Sequence, residues 1–192
     1  MRILLTLMLC ISMPVIAQDT HPENPSPQPG CSTEKYHQFD FWIGNWNIDQ
    51  KIIQNDGTWL KFKAHNSVSS ILKGCAIEEH WEGDVQFFWT GMKEPKPLEG
   101  FSIRYYNTKD KKWHIHWMDN FNPILGDGSK GNFKNGIGEF FHEQTTNKGK
   151  QLSKITFSDI TDNSVHWDLS ISSDNDKTWT KIWMMEMKRI SK

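Results

Sequence analysis

The sequence predicts an all-β protein: a single antiparallel barrel of about ten strands, led by one short N-terminal helix. Three observations predict it. Helical periodicity is nearly absent, whereas bulky side chains alternate at period two, with turn residues recurring roughly every ten positions. The 192-residue chain has room for one domain once its termini are set aside, and it shows no internal repeat. Finally, Phe39-Asp40-Phe41-Trp42-Ile43-Gly44-Asn45-Trp46 sets four large aromatics beside one glycine just before an alternating run. That composition suits the first strand of a container whose tryptophan closes one end.

Residues 1–17 read as a secretory signal peptide. Arg2 supplies the positive start, residues 3–16 the apolar core and Val15-Ile16-Ala17 the cleavage site, so the mature chain is expected to begin at Gln18. Leu9 precedes Cys10 where lipid attachment calls for a small residue, and the apolar run is shorter than the roughly 20 residues that span a bilayer. Residues 18–30 follow as a flexible leader, with four prolines and no aliphatic residue in DTHPENPSPQPG. Pro25 disables the Asn24-Pro25-Ser26 sequon. Residues 31–192 form the barrel domain. The expectation is an exported protein, periplasmic or extracellular, with no membrane contact after signal cleavage. A net charge of -1 argues against nucleic acid as a partner, because such recognition needs a basic patch.

The elements follow in order. Residues 32–38 form the short helix, with Ser32 as its N-cap. Trp42, Gly44, Trp46 and Ile48 then share one strand face. Asn55-Asp56-Gly57 turns the chain into residues 59–64, where Leu60, Phe62 and Ala64 alternate with lysines. Residues 75–81 place Cys75, Ile77, Glu79 and Trp81 on one face, and Phe87-Phe88-Trp89 is a short apolar run. Residues 101–106 and 113–119 pair as a hairpin, with the basic cluster at 109–112 as its solvated tip. The last strands cover residues 133–143, 152–158, 165–172 and 178–189. Cys10 leaves with the signal, so Cys31 and Cys75 remain, and two cysteines in an oxidising compartment are expected to pair. Two separate buried thiols are the alternative. A bridge would close a loop of about 45 residues, a stabilisation of about 4 kcal/mol by chain entropy.

Gly44-Asn45-Trp46 matches the Gly-x-Trp signature of the calycins, the superfamily of lipocalins and fatty-acid-binding proteins. That resemblance implies that Trp46 closes the barrel base and that a basic residue of the last strand covers it. Arg189, on the parity of Trp179, Trp183, Met185 and Met187, is the candidate lid, and Arg on Trp gains about 1 kcal/mol. Phe39 and Phe41 are expected to seat the leading helix. A fuller pattern is more specific: Tyr36-x-x-Phe39-Asp40-Phe41-Trp42-x-Gly44-x-Trp46, Gly74-Cys75-Ala76-x-x-Glu79-His80-Trp81, Gly100-x-Ser102 and Trp113-His114-x-x-Trp117-x-Asp119-Asn120. It resembles a secreted, lipocalin-like bacterial family of unknown function. The resemblance covers the chain from about Cys31 onward and implies a barrel, with no established reaction. Arg104 departs from it, standing where a shorter polar side chain is expected.

Strand parity gathers a candidate ligand site: Glu79 and Trp81; Ser102, Arg104 and Tyr106; Trp117 and Asp119. Facing inward, they give aromatic walls with a few polar groups, the usual composition of a small-molecule site. Arg104 would then bind a carboxylate or pair with Glu79 or Asp119. The alternative is a filled barrel with internal salt bridges, and either arrangement requires the opposite charges to meet. A barrel-mouth lyase or isomerase using Glu79, Arg104 and Asp119 is a second reading. A third is a carbohydrate-binding or accessory protein in polysaccharide degradation, suggested by ten tryptophans. Residues 172–179 resemble an Asp-box with Asp176 in place of glycine, whose role is to fold a hairpin. His114 and His116 share a face, and a metal site would need a third ligand such as His142 or His166. Placing both on the outer surface, with Trp113, Ile115 and Trp117 inward, is the simpler arrangement. His142-Glu143-x-x-Thr146 lacks the closing histidine of a zincin motif. No cofactor and no metal are expected, and the reading favoured is an exported barrel that binds an apolar or amphipathic small molecule.

Overall fold

The computed structural model describes residues 29–146 and 149–190; the expected signal peptide and all but the end of the expected leader lie outside the described residues. Ten antiparallel strands close into a barrel in which every strand pairs with its sequence neighbours and the last pairs with the first. They are β1 Gly44–Ile53, β2 Trp59–Ile71, β3 Ala76–Val85, β4 Lys96–Asn107 and β5 Lys112–Asp119. The second half comprises β6 Ser129–Lys134, β7 Ile137–Thr146, β8 Gly149–Ser158, β9 Ser164–Ser172 and β10 Thr180–Arg189. The all-β calycin-like architecture expected from the sequence is therefore the observed one. Closure removes both sheet edges, so a chain this rich in exposed strand has none to present.

Three details differ from the sequence reading. The leading helix is a succession of 3₁₀ turns, Pro29–Ser32, Glu34–His37 and Asp40–Trp42, and Ser32 lies in the first of them instead of capping the second. Residues 87–89 contribute a turn, Phe88–Thr90, because Gly91 at φ +80° reverses the chain. The predicted single strand over 133–143 is two, β6 and β7, broken at Asn135-Gly136, both at positive φ (53° and 77°) as a two-residue hairpin requires.

One end of the barrel is closed from inside. The turns ahead of β1 carry Phe39 into the lumen, where it is fully buried against Trp113, Phe133, Phe140 and Phe157 at centroid separations of 4.9, 4.8, 5.4 and 5.3 Å. Phe39 is thus a plug in its own right, beyond the expected seat for the helix. Burying one such side chain contributes about 1.5–3 kcal/mol. Trp42 stacks on Trp46 at 5.8 Å, and the Trp46 indole donates to the Trp42 carbonyl at 2.9 Å. Arg189 pairs with Trp46 in the β1–β10 register and lays its guanidinium 4.1 Å from that ring. It also donates to the carbonyls of Phe41 (2.7 Å), Ile43 (2.6 Å) and Asp162 (2.6 Å). One cation therefore ties the plug to β10 and to the β8–β9 turn. The Cys31–Cys75 disulfide, Cα atoms 5.0 Å apart, fastens the same leading segment to the β2–β3 connection.

Trp179 does not share the inward face of Arg189. A bulge between Lys181 and Trp183 inserts Ile182 and reverses parity above it. Trp179 packs outside, 6.1 Å from Phe141 and under Lys154 at 4.9 Å. The Asp-box-like segment folds the β9–β10 turn. Asp174 accepts from the Thr178 hydroxyl (2.6 Å), the Thr178 amide (3.0 Å) and the Ser172 hydroxyl (2.8 Å). Asp176 takes the glycine position at φ 70°. The Thr178 hydroxyl, then the Thr178 amide and Ser172, draw the Asp174 pKa down from 3.8 to about 2.

Gly44 sits at φ +133°, and a Cβ there would lie 2.3 Å from Arg189 Nη1. Gly44→Ala is expected to cost about 2–3 kcal/mol in urea unfolding, whereas Gly57→Ala, with positive φ but no neighbour within 4 Å, costs about 1 kcal/mol. A depressed folded-state pKa gives stability that is complete above the unfolded value and lost as pH falls through the folded one. The Asp174 contribution is therefore full above pH 3.8 and disappears as pH falls through about 2. The Thr178 amide resonance should titrate with that low midpoint and lose the step in Asp174→Asn.

Candidate functional site

The antiparallel register sets the site. Glu79 of β3 lies opposite Ser102 of β4 and Val68 of β2, while Ile77 faces Arg104 and Asn66 faces Trp81. Inward parity then places Arg104 one step below Ser102 and Asn66 one step above Val68, so both reach the Glu79 carboxylate diagonally. Glu79 Oε2 accepts from Arg104 Nη2 at 2.7 Å and from the Ser102 hydroxyl at 2.9 Å, and Oε1 accepts from Asn66 Nδ2 at 2.6 Å. All four residues are buried, none more than 4% exposed. The opposite charges do meet, as the sequence requires. Two ions stripped of water are tolerated because they neutralise each other and because further donors satisfy the carboxylate.

This pair rests directly on the plug. The Arg104 guanidinium carbon is 5.4 Å from the Trp42 ring centroid, 5.5 Å from Phe39 and 5.9 Å from Phe157. Above it opens a cavity of ≈ 180 Å³ floored by Trp42 and Phe157. Its walls are dominated by Trp81, Trp117, Trp167 and Trp183, completed by aliphatic side chains and by Met185 and Met187 of β10. Among the described residues, Glu79 and Arg104 are the only charged side chains lining it. Trp81 meets Trp183 edge-on at 5.9 Å, and Trp183 meets Trp167 at 5.4 Å and Phe87 at 5.0 Å, so the β3–β4 loop leans over one side of the mouth. The wall is looser elsewhere: β5 pairs with β6 over only three positions, and Trp117, Trp167 and Leu169 are half-buried. Trp117 can cross the lumen because Gly100 carries no side chain; a Cβ there would lie 2.1 Å from its ring.

The polar atoms on this surface are unbalanced. Arg104 Nε and Nη1, Trp42 Nε1 and Trp81 Nε1 are buried donors without a partner among the described residues, against one acceptor, Asn66 Oδ1, on the residue that bonds Glu79. By contrast, the indoles of Trp117 and Trp183 are occupied, donating to Asp119 Oδ2 (2.8 Å) and Gln50 Oε1 (2.6 Å).

Five of the seven candidate ligand residues line the cavity: Glu79, Trp81, Ser102, Arg104 and Trp117. Tyr106 and Asp119 do not. Tyr106 lies below Arg104, packed on Tyr36 at 5.6 Å and on Trp113 at 6.1 Å. Asp119 lies at the opposite rim, where its carboxylate accepts from the Phe121 and Asn122 amides and holds the β5–β6 turn. Glu79 and Arg104 are therefore deep in the barrel beside the plug, and Asp119 is not brought into contact with them. Sequence reasoning missed Asn66, whose signal is a lone polar residue between Ala64 and Val68 on an apolar face, and the β9–β10 wall of Trp167, Trp183, Met185 and Met187.

His114 and His116 point away from the lumen. His114 bonds Asp110 at 2.7 Å and His116 bonds the Gly126 carbonyl at 2.8 Å, while Tyr105 stacks beside both rings. His142 and His166 are held elsewhere, by the Gly128 carbonyl and Glu186. Among the described residues no group of three or more His, Cys, Asp or Glu side chains is arranged to hold a metal. Outside the lumen stand Trp59 under Lys51, Trp89 on Phe87 and Trp179 on Phe141, with no ring contact among these three in the described residues.

The fold and the cavity together define a calycin-like β-barrel. No family model matches this chain, and no curated protein matches it. Several solved structures do. An S-type phycobiliprotein lyase from Guillardia theta is 11% identical with a TM-score of 0.51, over 80% of this chain and 91% of that one. A de novo designed fluorescence-activating β-barrel is 12% identical with a TM-score of 0.40, over 79% and 95%. A protein of unknown function from the DUF3598 family of Nostoc punctiforme is 8% identical with a TM-score of 0.25, over 82% and 100%. At 11% identity, the likeness to the lyase is one of fold alone.

Removing one member of a buried pair strands the other, at a cost of about 3–5 kcal/mol, whereas replacing both is far milder. Arg104→Met should therefore lower unfolding free energy by about 3–5 kcal/mol, and Arg104→Met with Glu79→Gln should recover most of it. Urea denaturation of the two single variants and the double variant reads the coupling directly.

Proposed function

We propose that this protein is an exported binding barrel that holds one small apolar or amphipathic molecule between its tryptophan walls. The observation that carries the reading is the cavity: ≈ 180 Å³, walled by four tryptophans and two methionines, with its charged groups confined to the floor. An apolar space of about 150 Å³ is enough to hold a benzene ring, so a guest the size of a substituted aromatic ring fits without rearrangement. A lumen plugged at one end and open above the plug suits a container better than a merely structural barrel, because unfilled core space forfeits packing energy.

Binding also accounts for the site better than catalysis does. Both Glu79 oxygens are committed to donors within 2.9 Å, and Asp119 is spent on a turn, which removes the acid–base couple that a barrel-mouth lyase or isomerase would use. The separated outer tryptophans offer no sugar-stacking platform. Export is supported by the signal-like start of the sequence and by the Cys31–Cys75 bridge, which belongs to an oxidising compartment. No helix among the described residues is long and apolar enough to cross a membrane.

Ethylbenzene titrated into protein labelled at the methionine methyl groups tests the reading. The Met185 and Met187 resonances are expected to shift saturably, with a stoichiometry of one. Leu169→Trp, which fills the cavity from β9, should abolish the shift while the protein stays folded. Unmoved methionines in the folded wild type would remove the proposal.

A further inference from the structure

The cavity floor is more specific than its apolar walls. Among the described residues, every buried polar atom without a partner on its lining side chains is a donor: Arg104 Nε and Nη1, Trp42 Nε1 and Trp81 Nε1; the unpartnered acceptor Asn66 Oδ1 belongs to a residue that bonds Glu79 but does not line the cavity. Both Glu79 oxygens already accept, three hydrogen bonds in all, and the Ser102 hydroxyl has given its only proton to one of them. A guest that buries these groups must therefore bring acceptors, and one without them leaves the four donors unsatisfied.

The sign of the charge narrows this further. Arg104 is already neutralised by Glu79 at 2.7 Å, and no other cation among the described residues lines the cavity. A carboxylate on the free side of the same guanidinium would place two anions against one cation in a space without water. The complex would then carry one uncompensated negative charge, which a low-dielectric site penalises. An uncharged carbonyl oxygen accepts from the same donors and adds no charge.

Resting on the proposed binding role, we infer that the barrel selects uncharged ligands with a carbonyl-type acceptor at the buried end of a flat apolar body, and discriminates against carboxylates. Arg104 is the donor that reads the carbonyl, and Glu79 is the group that excludes the anion. This reverses the carboxylate-anchoring role that the sequence suggests for Arg104.

Three near-isosteric probes test it at pH 7, read from the Met185 and Met187 methyl resonances: acetophenone, benzoate and ethylbenzene. Acetophenone should bind about tenfold more tightly than benzoate and about threefold more tightly than ethylbenzene, although it is the less apolar of the two neutral probes. In Glu79→Gln, which keeps the shape and unmasks the Arg104 charge, benzoate should gain at least about tenfold relative to acetophenone. Benzoate equal to or better than acetophenone in the wild type overturns the inference. Ethylbenzene equal to or better than acetophenone also overturns it, while leaving the binding role intact. If none of the three moves the methionines, the binding role and the inference fall together. The wild-type ranking decides even if Glu79→Gln does not fold.

Discussion

Closing ten strands creates a volume that the wall alone does not fill, and the rest of the structure follows from how this chain deals with it. Barrel diameter grows with strand number, and about eight strands already enclose as much as inward side chains pack comfortably. Here the surplus is met from the N-terminal side. The chain turns back under β1 and drives Phe39 and Trp42 into the lumen before the first strand begins. Such a segment has little regular hydrogen bonding of its own, so it must be held from outside. Arg189 does this by capping the Phe41 and Ile43 carbonyls while covering Trp46, and the disulfide anchors the segment from the other side. Gly44 is the hinge that lets the guanidinium reach those carbonyls.

The Glu79–Arg104 pair marks the boundary between the filled and the open half. A buried ion pair is weak as a source of stability, because desolvation offsets most of the attraction. Its contribution here is positional. Ser102 and Asn66 fix the carboxylate, the carboxylate fixes one nitrogen of Arg104, and the plug rings hold the guanidinium from below. The remaining Arg104 donors are thereby preorganised without the side-chain entropy loss that a mobile arginine would incur on binding. An apolar floor of the same volume would pack as well but would present no polar feature to a guest.

What the sequence disclosed depended on whether a feature is written in period or in depth. Parity identified the inward faces of β3 and β4, so Glu79, Trp81, Ser102 and Arg104 were legible as one group. The pairing of Trp46 with Arg189 was legible from the resemblance and from the strand ends. Parity says nothing about height along the barrel, which is why Tyr106 and Asp119 joined the group although they sit at opposite ends of it. Trp179 was misplaced because one inserted residue, Ile182, inverts the pattern, and a bulge leaves no reliable mark in sequence. The β6–β7 turn was missed although Asn135-Gly136 is a hairpin signal, because the bulky run around it reads as continuous strand. Phe39 could not be placed, because its insertion depends on the angle at which successive 3₁₀ turns enter the barrel.

The arrangement of polarity along the axis bears on how the proposed guest would be chosen. The Arg104 and Trp42 donors lie at the deep end with the other indoles above them, so a guest's acceptor must shed its water and pass the half-buried Trp117 and Trp167 before it meets Arg104. Desolvation is charged at the mouth, and compensation comes only at the floor. A guest with the acceptor at the wrong end suffers the first without gaining the second, and its apolar end would leave the floor donors unpaired. Discrimination of this kind rests on unsatisfied groups more than on added contacts, and it is correspondingly steep for small changes in the guest. The same logic explains why the floor is built on a neutral pair. A lone arginine would attract every anion that reached the mouth, whereas an arginine already balanced by Glu79 keeps its hydrogen-bonding geometry and gives up its long-range charge.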